Sequence, residues 1–133
     1  MKRAIWMGAL VVAALSLALT ARATVFEVKI IDYSYVPDSL TIMAGDSVHW
    51  TNDGTMPHTV TRGSNCTSEG DFDSGELLPG QSWGYAFDET DKGTHEYFCQ
   101  YHCASLGMKG WLTVDVATPV KESSWGQIKS VYR

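Results

Sequence analysis

Tyr97-Phe98-Cys99-Gln100-Tyr101-His102-Cys103-Ala104-Ser105-Leu106-Gly107-Met108-Lys109-Gly110 gathers a thiol, an imidazole and a thioether into one short stretch between two β-like runs. Upstream, Pro57-His58-Thr59-Val60 supplies a second imidazole where a loop meets a new β run, a place from which a side chain can be aimed at a site. The other two histidines read differently. His49 between Val48 and Trp50, and His95 between Thr94 and Glu96, each lie inside a strand pattern and are expected to face outward.

Working outward, strand signals recur at Val25 to Ile31, Leu40 to Met43, Ser47 to Trp50, Thr59 to Thr61, Ser82 to Phe87, His95 to Phe98 and Trp111 to Val116. Turn signals separate them at Pro37-Asp38, Ala44-Gly45-Asp46, Asn52-Asp53-Gly54, Leu78-Pro79-Gly80 and Asp91-Lys92-Gly93. About seven short strands at this spacing predict an all-β sandwich or barrel. Gly63 to Gly75, rich in Ser, Asn, Asp and Gly, is the least regular part and is expected to form a long loop or a very short helix. Trp50 and Trp111 are assigned to the core, as large aromatics readily fill sandwiches.

The donor set of His58, Cys99, His102 and Met108 combines soft and borderline ligands, which suits copper: two imidazoles and a thiolate, with a thioether as weak axial ligand. The order of motifs also resembles a known family. Ala44-Gly45-Asp46-Ser47-Val48-His49-Trp50-Thr51-Asn52, then Pro57-His58-Thr59-Val60, then Cys-x2-His with a following Met-x-Gly, is similar to the pattern of cupredoxins over roughly residues 24–116. The resemblance implies a cupredoxin-like Greek-key β-sandwich and one type 1, or blue, copper ion cycling between Cu(I) and Cu(II). It also implies single-electron exchange with redox proteins and no small-molecule substrate. Thr59 takes the place of the family's polar side chain that ties the two ligand loops together, an arrangement that fixes ligand orientation. Met56, Pro57, Ala104, Leu106 and Gly107 would surround the outer edge of His102 as an apolar exit for the electron. Five residues separate His102 from Met108, whereas two to four are usual in the family, so this loop is longer than its relatives'.

The chain has three cysteines, an odd count. With Cys99 held as the copper thiolate, Cys66 and Cys103 are left as a disulfide. The phytocyanin branch of the family likewise has a disulfide-bonded cysteine after its ligand histidine, although the two residues between Cys99 and His102 match plastocyanins, pseudoazurins and amicyanins instead. Two other metal sites use the same loop. Cys99-x3-Cys103 has the cysteine spacing of the binuclear copper centre of cytochrome oxidase subunit two, but Gly107 and Gly110 stand where that centre needs His and Met. A structural zinc site of Cys99, His102, Cys103 and His58 is chemically sound, yet leaves Cys66 unpaired and Met108 without a role. A copper-carrying protein, or a small copper enzyme with an open coordination position, are the functional alternatives.

Lys2 and Arg3, the apolar run Ala4 to Leu19 and the small residues of Ala21-Arg22-Ala23 read as a signal peptide over residues 1–23, with the domain in 24–116 and a tail in 117–133. The mature protein is expected to be periplasmic or secreted, without membrane association. Losing Lys2, Arg3 and Arg22 moves the formal charge from −5 to −8. That acidity argues against a nucleic-acid binder, which needs a basic face, and allows electrostatic steering towards positively charged partners. In the tail, Ser123 or Ser124 is a candidate cap, and Trp125, Ile128 and Val131 or Tyr132 recur at helical spacing.

Overall fold

The computed structural model describes residues 21–119. The expected signal peptide up to residue 20 and the expected tail helix lie outside the described residues. Among the described residues nine strands make two sheets: β1 (Val25–Ile31), β2 (Ser34–Val36), β3 (Ser39–Met43), β4 (Ser47–Asn52), β5 (Thr61–Ser64), β6 (Thr67–Asp73), β7 (Ser82–Ala86), β8 (Gly93–Phe98) and β9 (Lys109–Asp115). The first sheet runs β2-β1-β4-β7 and the second β3-β9-β8-β5-β6. The β1–β4 and β3–β9 pairs are parallel and the remaining pairs antiparallel, so both sheets are mixed. This is the expected β-sandwich of cupredoxin type.

Alternation decides which side chains fill the space between the sheets. On β4, Val48, Trp50 and Asn52 point inward; on β9, Gly110, Leu112 and Val114 do. Trp50 is fully buried, edge-on to Tyr97 at 5.7 Å between centroids and tilted against Trp83 at 5.5 Å. Such pairs add about 0.5–1.5 kcal/mol each beyond the area they bury. Gly110 lies under the Tyr97 ring, in space that any Cβ would take.

Four expectations are corrected. Trp111 is 42% exposed, because β9 sends Gly110 and Leu112 inward and therefore Trp111 outward. His95 is buried instead of facing out, with Nδ1 accepting from Arg62 Nε at 2.9 Å and Nε2 meeting the Asp91 carbonyl. His49 does lie at the surface, 3.1 Å from Glu27. The expected strand Thr59 to Thr61 begins only at Thr61, since His58 pairs with Leu77 in a single isolated bridge.

The fourth correction concerns Gly63 to Gly75, which contains most of the β5–β6 hairpin. Phe72 is the one buried residue of β6, so the strand carries almost no apolar pattern. Its turn uses Asn65 and Cys66, both in the left-handed region at φ 51° and 60°, as a two-residue hairpin turn of the primed type requires. Cysteine is not a turn signal, and β6 has a partner on one side only.

Candidate metal centre

His58 leaves the sandwich at one end, on the segment between β4 and β5. Its amide donates to the Leu77 carbonyl at 3.0 Å and Leu77 donates back at 2.8 Å. The buried Asn52 side chain holds both flanks, donating to the carbonyls of Met56 and Leu77 at 2.8 Å each and accepting from Gly54 N. The ring of His58 therefore sits on a braced backbone with no solvent exposure. Burial, and then the neighbouring His102, hold its pKa below the ordinary histidine value, partly offset by Asp32. A neutral imidazole with a free lone pair is the form a metal needs.

Cys99 follows β8 directly and is also fully buried. Its amide donates to the Met108 carbonyl at 3.2 Å, and its carbonyl accepts from His102 N and Cys103 N. The residues after it coil into one helical turn, α1 (Cys103–Leu106), closed by Gly107 at φ 67° with its amide on the Cys103 carbonyl. This turn takes up most of the chain between His102 and Met108. Met108 is 1% exposed and part of the core, and its amide lies 3.5 Å from the His102 carbonyl.

Three donor atoms converge. Cys99 Sγ is 3.7 Å from His58 Nδ1 and 3.4 Å from His102 Nδ1, and the two Nδ1 atoms are 3.2 Å apart. Among the described residues this is the one group of His, Cys, Asp or Glu side chains placed to share a metal ion. Two imidazole nitrogens and a thiol sulfur this close together, with neither ring's Nδ1 turned to a backbone partner, form a donor set that suits one borderline metal ion. Cys66 and Cys103 form a disulfide and Cys99 is free. Cys103 is thereby unavailable to a zinc tetrahedron or a binuclear copper pair, and both of those sites fall away.

Thr59 ties the two ligand segments: its Oγ1 accepts from Gln100 N at 2.9 Å. Gln100 Nε2 in turn donates to Thr61 Oγ1 and Asp73 Oδ2, both at 3.0 Å. His102 is only partly buried, and Met56, Pro57, Glu76 and Tyr101 line a shallow recess beside it. Two aromatic neighbours escaped the sequence reading: Tyr33, edge-on to His102 at 5.1 Å between centroids, and Tyr101, whose hydroxyl donates to Glu76. Tyr33 comes from the β1–β2 turn, remote in sequence, and nothing local to it signals a site. Asp73 was missed for the same reason, whereas Gln100 stood beside Cys99 and Asn52 inside a recognised motif as a turn residue, and neither residue type announces the contact it makes.

Residues 23–115 match the family of copper-binding proteins described as the plastocyanin/azurin family. A plastocyanin of Scenedesmus fuscus is 36% identical over 87 residues, covering 60% of this chain and 85% of that protein. Amicyanin-alpha of Methylorubrum extorquens is 33% identical over 108 residues, covering 81% of this chain and 87% of its own length. Among solved structures, a purple cupredoxin from Nitrosopumilus maritimus superposes with a TM-score of 0.60 at 28% identity, over 68% of this chain and 99% of that one.

Proposed function

The chain belongs to the plastocyanin/azurin family of copper-binding proteins and carries one copper for electron transfer, and on that premise we propose how its own residues perform the task. His58 and His102 would hold the copper through Nδ1 and Cys99 through Sγ, and Met108 would add a weak thioether ligand. The convergence of those three donor atoms in a buried cluster carries the reading. Copper supplies one electron per cycle by alternating between Cu(II) and Cu(I).

The protein's part is to hold one geometry for both states. The Leu77 bridge, the Asn52 brace and the Thr59–Gln100 tie anchor the two ligand segments to the sandwich, so neither state requires the backbone to move. Burial of His58, Cys99 and Met108 keeps water and small anions off these side chains. His102 alone reaches toward the surface, among Met56, Pro57, Tyr33, Tyr101 and Leu106, and serves as the electron's exit. The acidic balance of the chain favours positively charged redox partners. A disulfide in a chain that opens with a signal-like segment supports action outside the cytoplasm. No substrate is transformed.

Optical and redox titration tests this. Cu(II) produces intense thiolate charge-transfer absorption that Cys99→Ser abolishes, while Met108→Leu keeps the colour and shifts the potential. Preference for zinc with no such absorption defeats the ligand assignment. Reproducible turnover of nitrite, azide or peroxide makes the protein an enzyme, and rapid copper exchange without redox partners makes it a carrier.

A further inference from the structure

His58 has one nitrogen that the copper reading does not use. Nδ1 faces Cys99 and His102, while Nε2 is buried with no hydrogen-bond partner. An imidazole that gives its Nδ1 lone pair to a metal must keep its proton on Nε2. A buried N–H donor without an acceptor is costly. One carboxylate stands close: Asp32 Oδ1 is 3.7 Å from Nε2.

Asp32 is held in that place by its surroundings. It lies in the β1–β2 turn, where Thr55 N donates to Oδ1 and Thr55 Oγ1 donates to Oδ2, both at 2.8 Å. Gly54 leaves the approach open, since a Cβ there would lie 2.5 Å from Oδ1. The next residue, Tyr33, takes a left-handed φ of 69° with a bulky side chain, a conformation that persists only when the surroundings impose it. Its ring meets the edge of His102, and its hydroxyl donates to Met56 Sδ at 3.1 Å. One turn thus touches both histidines.

We propose that Asp32 is a positioning residue for the copper site, its carboxylate accepting the Nε2–H of His58 once Nδ1 is bound to the metal. The inference rests on the ligand assignment above. Closing from 3.7 Å to hydrogen-bond length requires a movement of roughly 0.8 Å, within reach of an exposed turn. An anionic acceptor fixes the ring orientation and increases the electron density that His58 offers, which favours Cu(II) over Cu(I) and lowers the reduction potential.

The test uses the copper-loaded protein and two readouts. In the diamagnetic Cu(I) form, nitrogen–proton NMR of His58 shows an Nε2–H shifted downfield and exchanging slowly with water; Asp32→Ala moves it upfield and speeds exchange. By voltammetry, Asp32→Ala and Asp32→Asn raise the potential, a tenfold selective loss of Cu(II) affinity being about 59 mV for one electron. Gly54→Ala, which keeps the charge but displaces the carboxylate, reproduces the rise. Asp53→Asn, whose carboxylate pairs with Lys29 at 3.3 Å, leaves the potential near the wild type. The proposal is overturned if Asp32→Ala leaves potential and Nε2–H unchanged, or if Asp53→Asn shifts the potential equally. A wild type that never develops thiolate absorption defeats the ligand assignment and this proposal with it; a coloured wild type with unmoved variants defeats this proposal alone.

Discussion

Removing the Cys66–Cys103 disulfide with the pair Cys66→Ala and Cys103→Ala should cost stability mainly through the unfolded chain. Both cysteines must go, because a lone Cys103 would sit near the free Cys99 and invite a wrong bridge. The bond closes a loop with a sequence separation of 37. Loop-closure entropy for that length gives roughly 4 kcal/mol at 25 °C. A domain of this size has about 5–15 kcal/mol in total, so the melting temperature should fall by roughly 15–30 °C. The folded site has other supports: His102 N and Cys103 N on the Cys99 carbonyl, and Leu106 N on the His102 carbonyl. The variant should therefore still bind copper, with a looser His102. The assay is urea unfolding of the copper-free protein, so that metal binding does not add its own stabilisation, followed by copper titration. The m-value should rise, since the unlinked chain exposes more surface. A loss below about 1 kcal/mol with unchanged m would refute the entropic argument. Complete loss of copper binding would show instead that the bond itself places His102.

Alkaline pH should destabilise the fold through Tyr97. Burial pushes its phenol from 10.0 up to about 12, so the unfolded chain ionises first. The contribution of Tyr97 to stability is level below pH 10 and is lost between pH 10 and 12, by about 2–3 kcal/mol. Tyr97→Phe should flatten part of that slope in denaturant titrations across the window, with Tyr35, raised by burial in the same direction, retaining the rest; an unchanged slope would remove Tyr97 from the account. Thr59→Val takes the acceptor from Gln100 N and should cost about 1–3 kcal/mol in thermal unfolding of the copper-free protein, whereas a change near zero would mean that the tie between the ligand segments is replaceable. Gly110→Ala puts a methyl into the Tyr97 ring and should cost about 1–3 kcal/mol or more by the same measurement. A stop after Val116 should leave the copper spectrum unchanged, and its loss would make the tail part of the site.

The clustering of Cys99 and His102 was legible in the sequence, because Cys-x2-His is a local pattern and the chemistry of soft and borderline donors needs no fold to be recognised. The sequence also determined the strands with clear alternation: β1 and β4 show their inward residues directly, and β9 places Leu112 and Val114 by the same period of two. Strands without that alternation were illegible. β6 has a single buried side chain, and its turn is built by Asn65 and Cys66 in conformations that their residue types do not announce. What surrounds the donors follows from tertiary pairing alone. Asp32 and Tyr33 reach the histidines because β1 pairs with β4 in parallel, bringing the end of β1 beside the segment that leads to His58. Gln100 meets Asp73 because β6 pairs with β5 at the sheet edge. Contacts of this kind depend on strand pairings far apart in sequence, so no window of neighbouring residues contains them.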